Sequence, residues 1–216
     1  MFGKNNTSRM KDSDICVEKL VVGSLQTNCY LVYGGKNKEG VIIDPGDDAD
    51  YISSVIQRKS IKPKLIIATH GHFDHVLAVE ELKLIYKIPF ALSYKDCFLV
   101  KSANTRAKYF NQKDINMMGN FSIDRDLDKR KFLTVGNIKF ILIETPGHTP
   151  GSISLYLKKE KIIFVGDLIF ANGELGRTDL SYGNVNQLNK SIKKIKALSD
   201  SLTIFSGHGE IWHFNE

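Results

Sequence analysis

Between residues 70 and 75 the chain places His70, His72, Asp74 and His75. Three further candidate ligands, His148, Asp167 and His208, lie far downstream, each directly after a glycine. Each group sits just past an apolar run: Ile66-Ile67 before His70, residues 141–143 before His148, 163–165 before Asp167, and Ile204-Phe205 before His208. Short apolar runs of this kind read as buried strands. For the seven side chains to meet, the fold must bring four strand ends to one edge. Loops on rigid strand ends are where functional sites are commonly built.

Five of the six histidines are committed to this pattern. Histidine is the commonest metal ligand, and a carboxylate is its usual companion for hard or borderline divalent ions. The pattern therefore predicts two places for metal. His70 and His72, two apart, can chelate one ion from an extended turn. Asp74 and His75, on the turn that opens a helix, face a second direction. Asp167, arriving alone, could bridge two ions about 3.5–4 Å apart, the spacing at which a hydroxide can also bridge them. A lone histidine is more often a hydrogen-bonding residue, but five grouped just past strand ends, four of them beside a glycine, point to ligation. His213, in Ile211-Trp212-His213-Phe214, fits no ligand pattern and is read as structural.

Residues 15–22 and 27–33 read as strands joined by a turn at Gly23-Ser24, and 40–43 as a third strand closed by Asp44-Pro45-Gly46. Residues 47–59 read as a helix with acidic residues in its first turn. Residues 64–68 form a short strand ending at the histidine cluster, 75–87 a helix, 89–92 a strand and 94–110 a helix. Residues 111–130 are polar and irregular and read as a lid or connector. Strands follow at 132–135, 138–144, 152–157 and 161–165, then a helix at 185–198 and a last strand at 202–205. Strand runs in both halves with helices between them predict an α+β fold of two sheets packed face to face with helices outside.

The chain has 216 residues, 42% hydrophobic and 25% charged, enough to bury a sizeable core. Residues 1–14 are polar and read as a flexible lead-in to a single domain over 15–216. They contain no secretory signal and no run long enough to span a bilayer, which predicts a cytoplasmic protein without membrane contact. Cys16, Cys29 and Cys97 have no zinc-finger spacing and read as small buried hydrophobes. The net charge is +6. Its clearest cluster, Lys190, Lys193, Lys194 and Lys196, interleaves with Leu188, Ile192, Ile195 and Leu198 at helical spacing. That is a solvated helix face rather than a nucleic-acid surface.

Taken together, His70-Gly71-His72-Phe73-Asp74-His75, Pro146-Gly147-His148, Gly166-Asp167 and Ser206-Gly207-His208 resemble the metallo-β-lactamase superfamily over residues 15–210. Gln26-Thr27-Asn28-Cys29-Tyr30 and Gly176-Arg177-Thr178-Asp179 are similar to its glyoxalase II-like (hydroxyacylglutathione hydrolase-like) branch. The resemblance implies a four-layer αββα sandwich, two divalent metal ions, and hydrolysis of a thioester such as S-D-lactoylglutathione. Zinc is the first expectation, with iron or manganese as alternatives. It places His70, His72 and His148 on the first metal, Asp74, His75 and His208 on the second, and Asp167 between them. Asp74 would also direct the nucleophile, Asp44 would orient the metal loop, and Arg177 would contact a small-molecule, possibly glutathione-linked, substrate. The full-length glyoxalase II carries a further C-terminal helical domain with glutathione contacts, whereas this sequence ends at Glu216. The resemblance thus speaks to the chemistry more than to the substrate. The nearest rival is the persulfide dioxygenase branch, with one iron on His70, His148 and Asp167. Nuclease, β-lactamase and non-catalytic binding readings rank lower, and the oligomeric state is open.

Overall fold

The computed structural model describes residues 15–111 and 122–215. Twelve strands form two six-stranded sheets among these residues. The first sheet runs β1 (Ile15–Val22), β2 (Thr27–Gly34), β3 (Glu39–Ile43), β4 (Lys62–Ile67), β5 (Phe90–Leu92), β6 (Arg125–Asp126). Its first three strands are antiparallel neighbours and the rest pair in parallel. The parallel pairs need crossovers. Helix α1 (Ala49–Lys59) links β3 to β4, and α2 (Val79–Tyr86) links β4 to β5. Helices α3 (Cys97–Lys101) and α4 (Ala103–Asn111) follow β5. The second sheet contains β7 (Phe132–Val135), β8 (Ile138–Glu144), β9 (Ile153–Leu157), β10 (Ile162–Gly166), β11 (Ser201–Ser206) and β12 (Trp212–Asn215). It is antiparallel except between β10 and β11, which α5 (Val185–Lys196) connects.

Strand side chains alternate between faces, and the alternation sorts the core into three apolar layers. From β2, Cys29, Leu31 and Tyr33 join Ile42, Ile66 and helix residues such as Ile52, Ile56 and Leu82. Tyr30 and Val32, on the other face, join Val41, Ile43, Leu65 and Ile67, and meet Phe140, Leu155, Phe164 and Phe205 of the second sheet. Ile163, Val165, Leu202 and Ile204 turn outward onto Leu188, Ile192 and Ile195 of α5. Helix, sheet, sheet, helix is the expected αββα sandwich. Every residue of β2 is buried because it is covered on both sides.

Several boundaries differ from the sequence reading. Residues 73–75 form a separate 3-10 turn, and α2 starts only at Val79. The helix expected over 94–110 breaks into a 3-10 turn, Tyr94–Asp96, then α3 and α4. Ser93 caps the first piece through its hydroxyl, and the Ser102 hydroxyl turns back onto the Phe98 and Leu99 carbonyls between the other two. The strand at 202–205 is not the last: β12 pairs with β11, packing Trp212 and Phe214 inward and leaving His213 exposed. His213 meets the Thr203 hydroxyl, in keeping with a structural residue. Residues 1–14 and 112–121 lie outside the described residues, and with them the lead-in and half of the expected lid. Of the rest of that segment, Arg125–Asp126 is a strand and Leu127 is buried.

Candidate metal centre

The loops after β4, β8, β10 and β11 carry all seven candidate ligands to one edge of the sandwich. Three groupings each keep their donor atoms within 4.8 Å of one another: His70, His72 and His148; Asp74, His75 and His208; and His70, His75 and Asp167. In the first, His72 Nδ1 lies 3.1 Å from His70 Nε2 and 2.9 Å from His148 Nε2. In the second, Asp74 Oδ2 lies 3.3 Å from His208 Nε2 and 3.5 Å from His75 Nε2. Asp167 stands between them, with Oδ1 3.5 Å from His75 and Oδ2 3.6 Å from both His148 and His208.

Backbone detail aims these groups. The β10–β11 register shifts between Phe164 and Gly166, and such a bulge re-aims the side chain that follows, here Asp167. Gly166 has φ 55°, and a Cβ there would lie 2.4 Å from the Thr69 hydroxyl. Gly207 is equally constrained, because a Cβ would lie 2.1 Å from Asp167 Oδ1. Asp44 adopts a left-handed φ of 50°, uncommon for a non-glycine residue. Its buried carboxylate accepts from the Thr69 amide at 2.6 Å and the Thr69 hydroxyl at 2.7 Å, and faces His75 Nδ1 at 3.1 Å. These contacts tie Asp44 to the loop that carries His70 and His75.

The outer atom of each imidazole fixes its tautomer. His148 Nδ1 donates to the Arg177 carbonyl at 2.8 Å, and His208 Nδ1 donates to the Leu25 carbonyl at 3.1 Å. The Thr69 hydroxyl has given its proton to Asp44, so it accepts from His70 Nδ1 at 3.1 Å. In its neutral form each of these rings therefore turns a bare nitrogen toward the centre. His75 Nε2 and Asp167 Oδ1 are buried with no hydrogen-bond partner among the described residues. Buried acceptors without a donor are costly, and bare nitrogens converging on carboxylate oxygens need positive charge among them. The residues present therefore fit two divalent cations.

The two halves differ electrostatically. Burial and the neighbouring His75 and His72 push His70 well below the usual histidine range. Burial and His148 lower His72 to about 3. Burial also opposes protonation of His75 and His208, but the carboxylates Asp74 and Asp167 prevail, taking His75 well above its usual value and His208 to about 9. Burial alone would raise Asp167; His75 and His208 instead hold it well below the usual carboxylate range.

Three supports went unread in the sequence. Asp96 is fully buried and accepts from the Gly71 and Gly151 amides and the Thr149 hydroxyl, tying the His70-His72 loop to the His148 loop. Asn28 donates to the Ser206 and Gly209 carbonyls, and the Tyr30 hydroxyl also donates to Ser206, anchoring the His208 loop to β2. The Tyr182 hydroxyl lies 2.8 Å from His72 Nε2. Asp96 sat inside an apparent helix, and Tyr182 had no motif around it. A cavity of about 290 Å³ opens over the cluster, walled by Leu25, Phe73, Leu180, Tyr182, Arg106 and Arg177. Arg177 lines this cavity, and its fork is closed by Asp179 at 2.8 and 2.7 Å.

Comparison with known proteins agrees with this geometry. The sequence model of the metallo-beta-lactamase superfamily matches residues 22–208. Hydroxyacylglutathione hydrolase GloC of Haemophilus influenzae is 34% identical over 196 residues, covering 89% of this chain and 90% of that protein. Among solved structures, BLEG-1 B3 metallo-beta-lactamase superposes with a TM-score of 0.83 at 34% identity, covering 92% of this chain and 94% of that one. The protein TTHA1623, in a di-iron-bound form, superposes with a TM-score of 0.80 at 30% identity, covering 92% and 95%.

Proposed function

The chain belongs to the metallo-β-lactamase superfamily, and from that premise we propose that it is a dinuclear metallohydrolase of the glyoxalase II type, cleaving S-D-lactoylglutathione or a related thioester. The observation that carries this reading is the complete pair of three-donor clusters with Asp167 between them. His70, His72 and His148 would hold one cation, Asp74, His75 and His208 the other, and Asp167 would bridge. Zinc is the first candidate; a histidine and carboxylate donor set also suits iron or manganese. When bound, the pair would supply hydroxide near neutral pH and a positive field for negative charge developing on a carbonyl oxygen.

The protein's own groups do the rest. Asp74 Oδ2 accepts from the Thr27 hydroxyl at 3.2 Å, which fixes a carboxylate oxygen at the cleft floor where it can accept a proton from a water and set its direction. Leu25, Phe73 and Leu180 offer apolar walls that would shield the thioester from bulk water. Thiols ionise near 8.5, so a thiolate leaves without needing a strong acid beside it.

The likeness to hydroxyacylglutathione hydrolase GloC supports the thioester reading. The likeness to a B3 metallo-beta-lactamase supports β-lactam hydrolysis by the same donors as a second reading. A single-iron persulfide dioxygenase would need only His70, His148 and Asp167, and leaves Asp74, His75 and His208 unexplained. Elemental analysis should be paired with assays on S-D-lactoylglutathione, a β-lactam, and glutathione persulfide with oxygen uptake. About two metals per chain with thioester cleavage is expected. One iron per chain with oxygen uptake, or turnover of the β-lactam alone, would overturn the proposal.

A further inference from the structure

Two arginines stand at the cleft mouth, and their situations differ. The Arg177 guanidinium is satisfied by Asp179. Arg106, on α4, is half-buried and has no carboxylate partner among the described residues. Its Nε donates to the Ser102 hydroxyl one helical turn back, at 3.1 Å. Its Cζ lies 5.8 Å from the centre of the Tyr182 ring, within reach of a cation–π contact. The Phe98 ring also packs edge-on against Tyr182, at 5.4 Å between ring centres. The guanidinium is thus held by Ser102 and Tyr182, and no acidic side chain among the described residues neutralises it.

A second cavity, of about 400 Å³, also adjoins His208 and is lined by Phe170, Glu174 and Glu210. There Glu210 is met by Lys19 at 3.6 Å and Glu174 adds negative charge, so a carboxylate is better met by Arg106 on the α4 wall. A planar guanidinium can bind a carboxylate through two parallel hydrogen bonds, which gives direction as well as affinity.

We propose that Arg106 is the carboxylate-docking residue of the cleft, holding a free carboxylate of the thioester substrate along α4, beside Tyr182. This rests on the hydrolase reading for the reaction but not for the binding, so the two can fail separately. The test is calorimetric titration of the metal-loaded protein with S-methylglutathione, which has no acyl thioester to cleave, and with its diethyl ester, which lacks both carboxylates. The wild-type protein should prefer the free acid by about tenfold to a hundredfold, the range for hydrogen bonds to a charged group. In Arg106→Ala that preference should collapse toward one, and Arg106→Lys should keep part of it. Arg177→Ala should reduce it less, because Asp179 already occupies that fork.

Equal binding of acid and ester by the wild type, an unchanged preference in Arg106→Ala, or no binding of either ligand would overturn the assignment. A parallel loss for both ligands in Arg106→Ala would mean that Arg106 acts only by supporting Tyr182, and would also overturn it. Carboxylate-selective binding without thioester hydrolysis would leave Arg106 in place and remove the proposed reaction instead.

Discussion

The two halves of the centre are built on different electrostatic plans. The His70, His72 and His148 half consists of imidazoles, whose burial and mutual repulsion keep His70 and His72 unprotonated. The Asp74, His75 and His208 half includes a carboxylate and shares Asp167, and there the histidines draw protons. The supports differ as well. A buried carboxylate, Asp96, holds the first half by gathering three donors. A neutral amide, Asn28, holds the second by donating to two carbonyls. Donors of one kind can thus be delivered by chemically distinct means, and the halves should respond differently to acid and to substitution.

The severest way to break the comparison is to remove the residue common to both halves. Asp167→Ala should release both metals and lower turnover by more than the roughly 10–100-fold that loss of an outer partner costs, as read by elemental analysis and thioesterase rate. Retention of two metals would mean that the halves are independent.

Acid should separate the halves next. A raised histidine holds its proton to higher pH, so a cation must displace it. Below about pH 9, the His208 value, affinity at the second half should fall by about tenfold per unit for each proton displaced. The first half should lose less affinity per unit through neutral pH, because His70 and His72 are already bare there. A metal titration followed from pH 9 to pH 5 should therefore empty the second half first, whereas simultaneous loss would erase the distinction.

The supports give the third contrast. Asp96→Ala leaves two buried amides, of Gly71 and Gly151, without an acceptor and should cost roughly 3–5 kcal/mol in chemical denaturation, whereas Asn28→Ala strips donors from two carbonyls and should cost roughly 1–2 kcal/mol. Equal losses would show that the two clamps are equivalent. The smallest effect is expected from Tyr182→Phe, which removes only the hydroxyl at His72. It should weaken first-half metal affinity by about tenfold or less and leave the second half unchanged.

Much of the centre was legible because ligand chemistry is local. Histidines spaced two apart after Ile66-Ile67, and glycines before His148, Asp167 and His208, carry their meaning within a few residues. Asp96 was not legible, since its partners are 25, 53 and 55 residues away and its own neighbours read as helix. The break at Ser102 was hidden for a related reason: its hydroxyl competes with the backbone, and pattern alone does not decide which wins. β12 was missed because four residues give too short an alternation to stand out; pairing with β11 makes it a strand.

The candidate donor set, the apolar runs of β2, β3 and β4, and the amphipathic stripe of α5 can be read from the chain alone, because side-chain chemistry and periodicity are properties of the chain. Only the tertiary structure decided that Asp167 lies between the two clusters, that Asp179 closes the Arg177 fork while Arg106 stands unpaired by any described carboxylate, and that Asp96 and Asn28 clamp opposite halves. Those outcomes depend on distances between segments far apart in the chain, and such distances are set by how the two sheets pack.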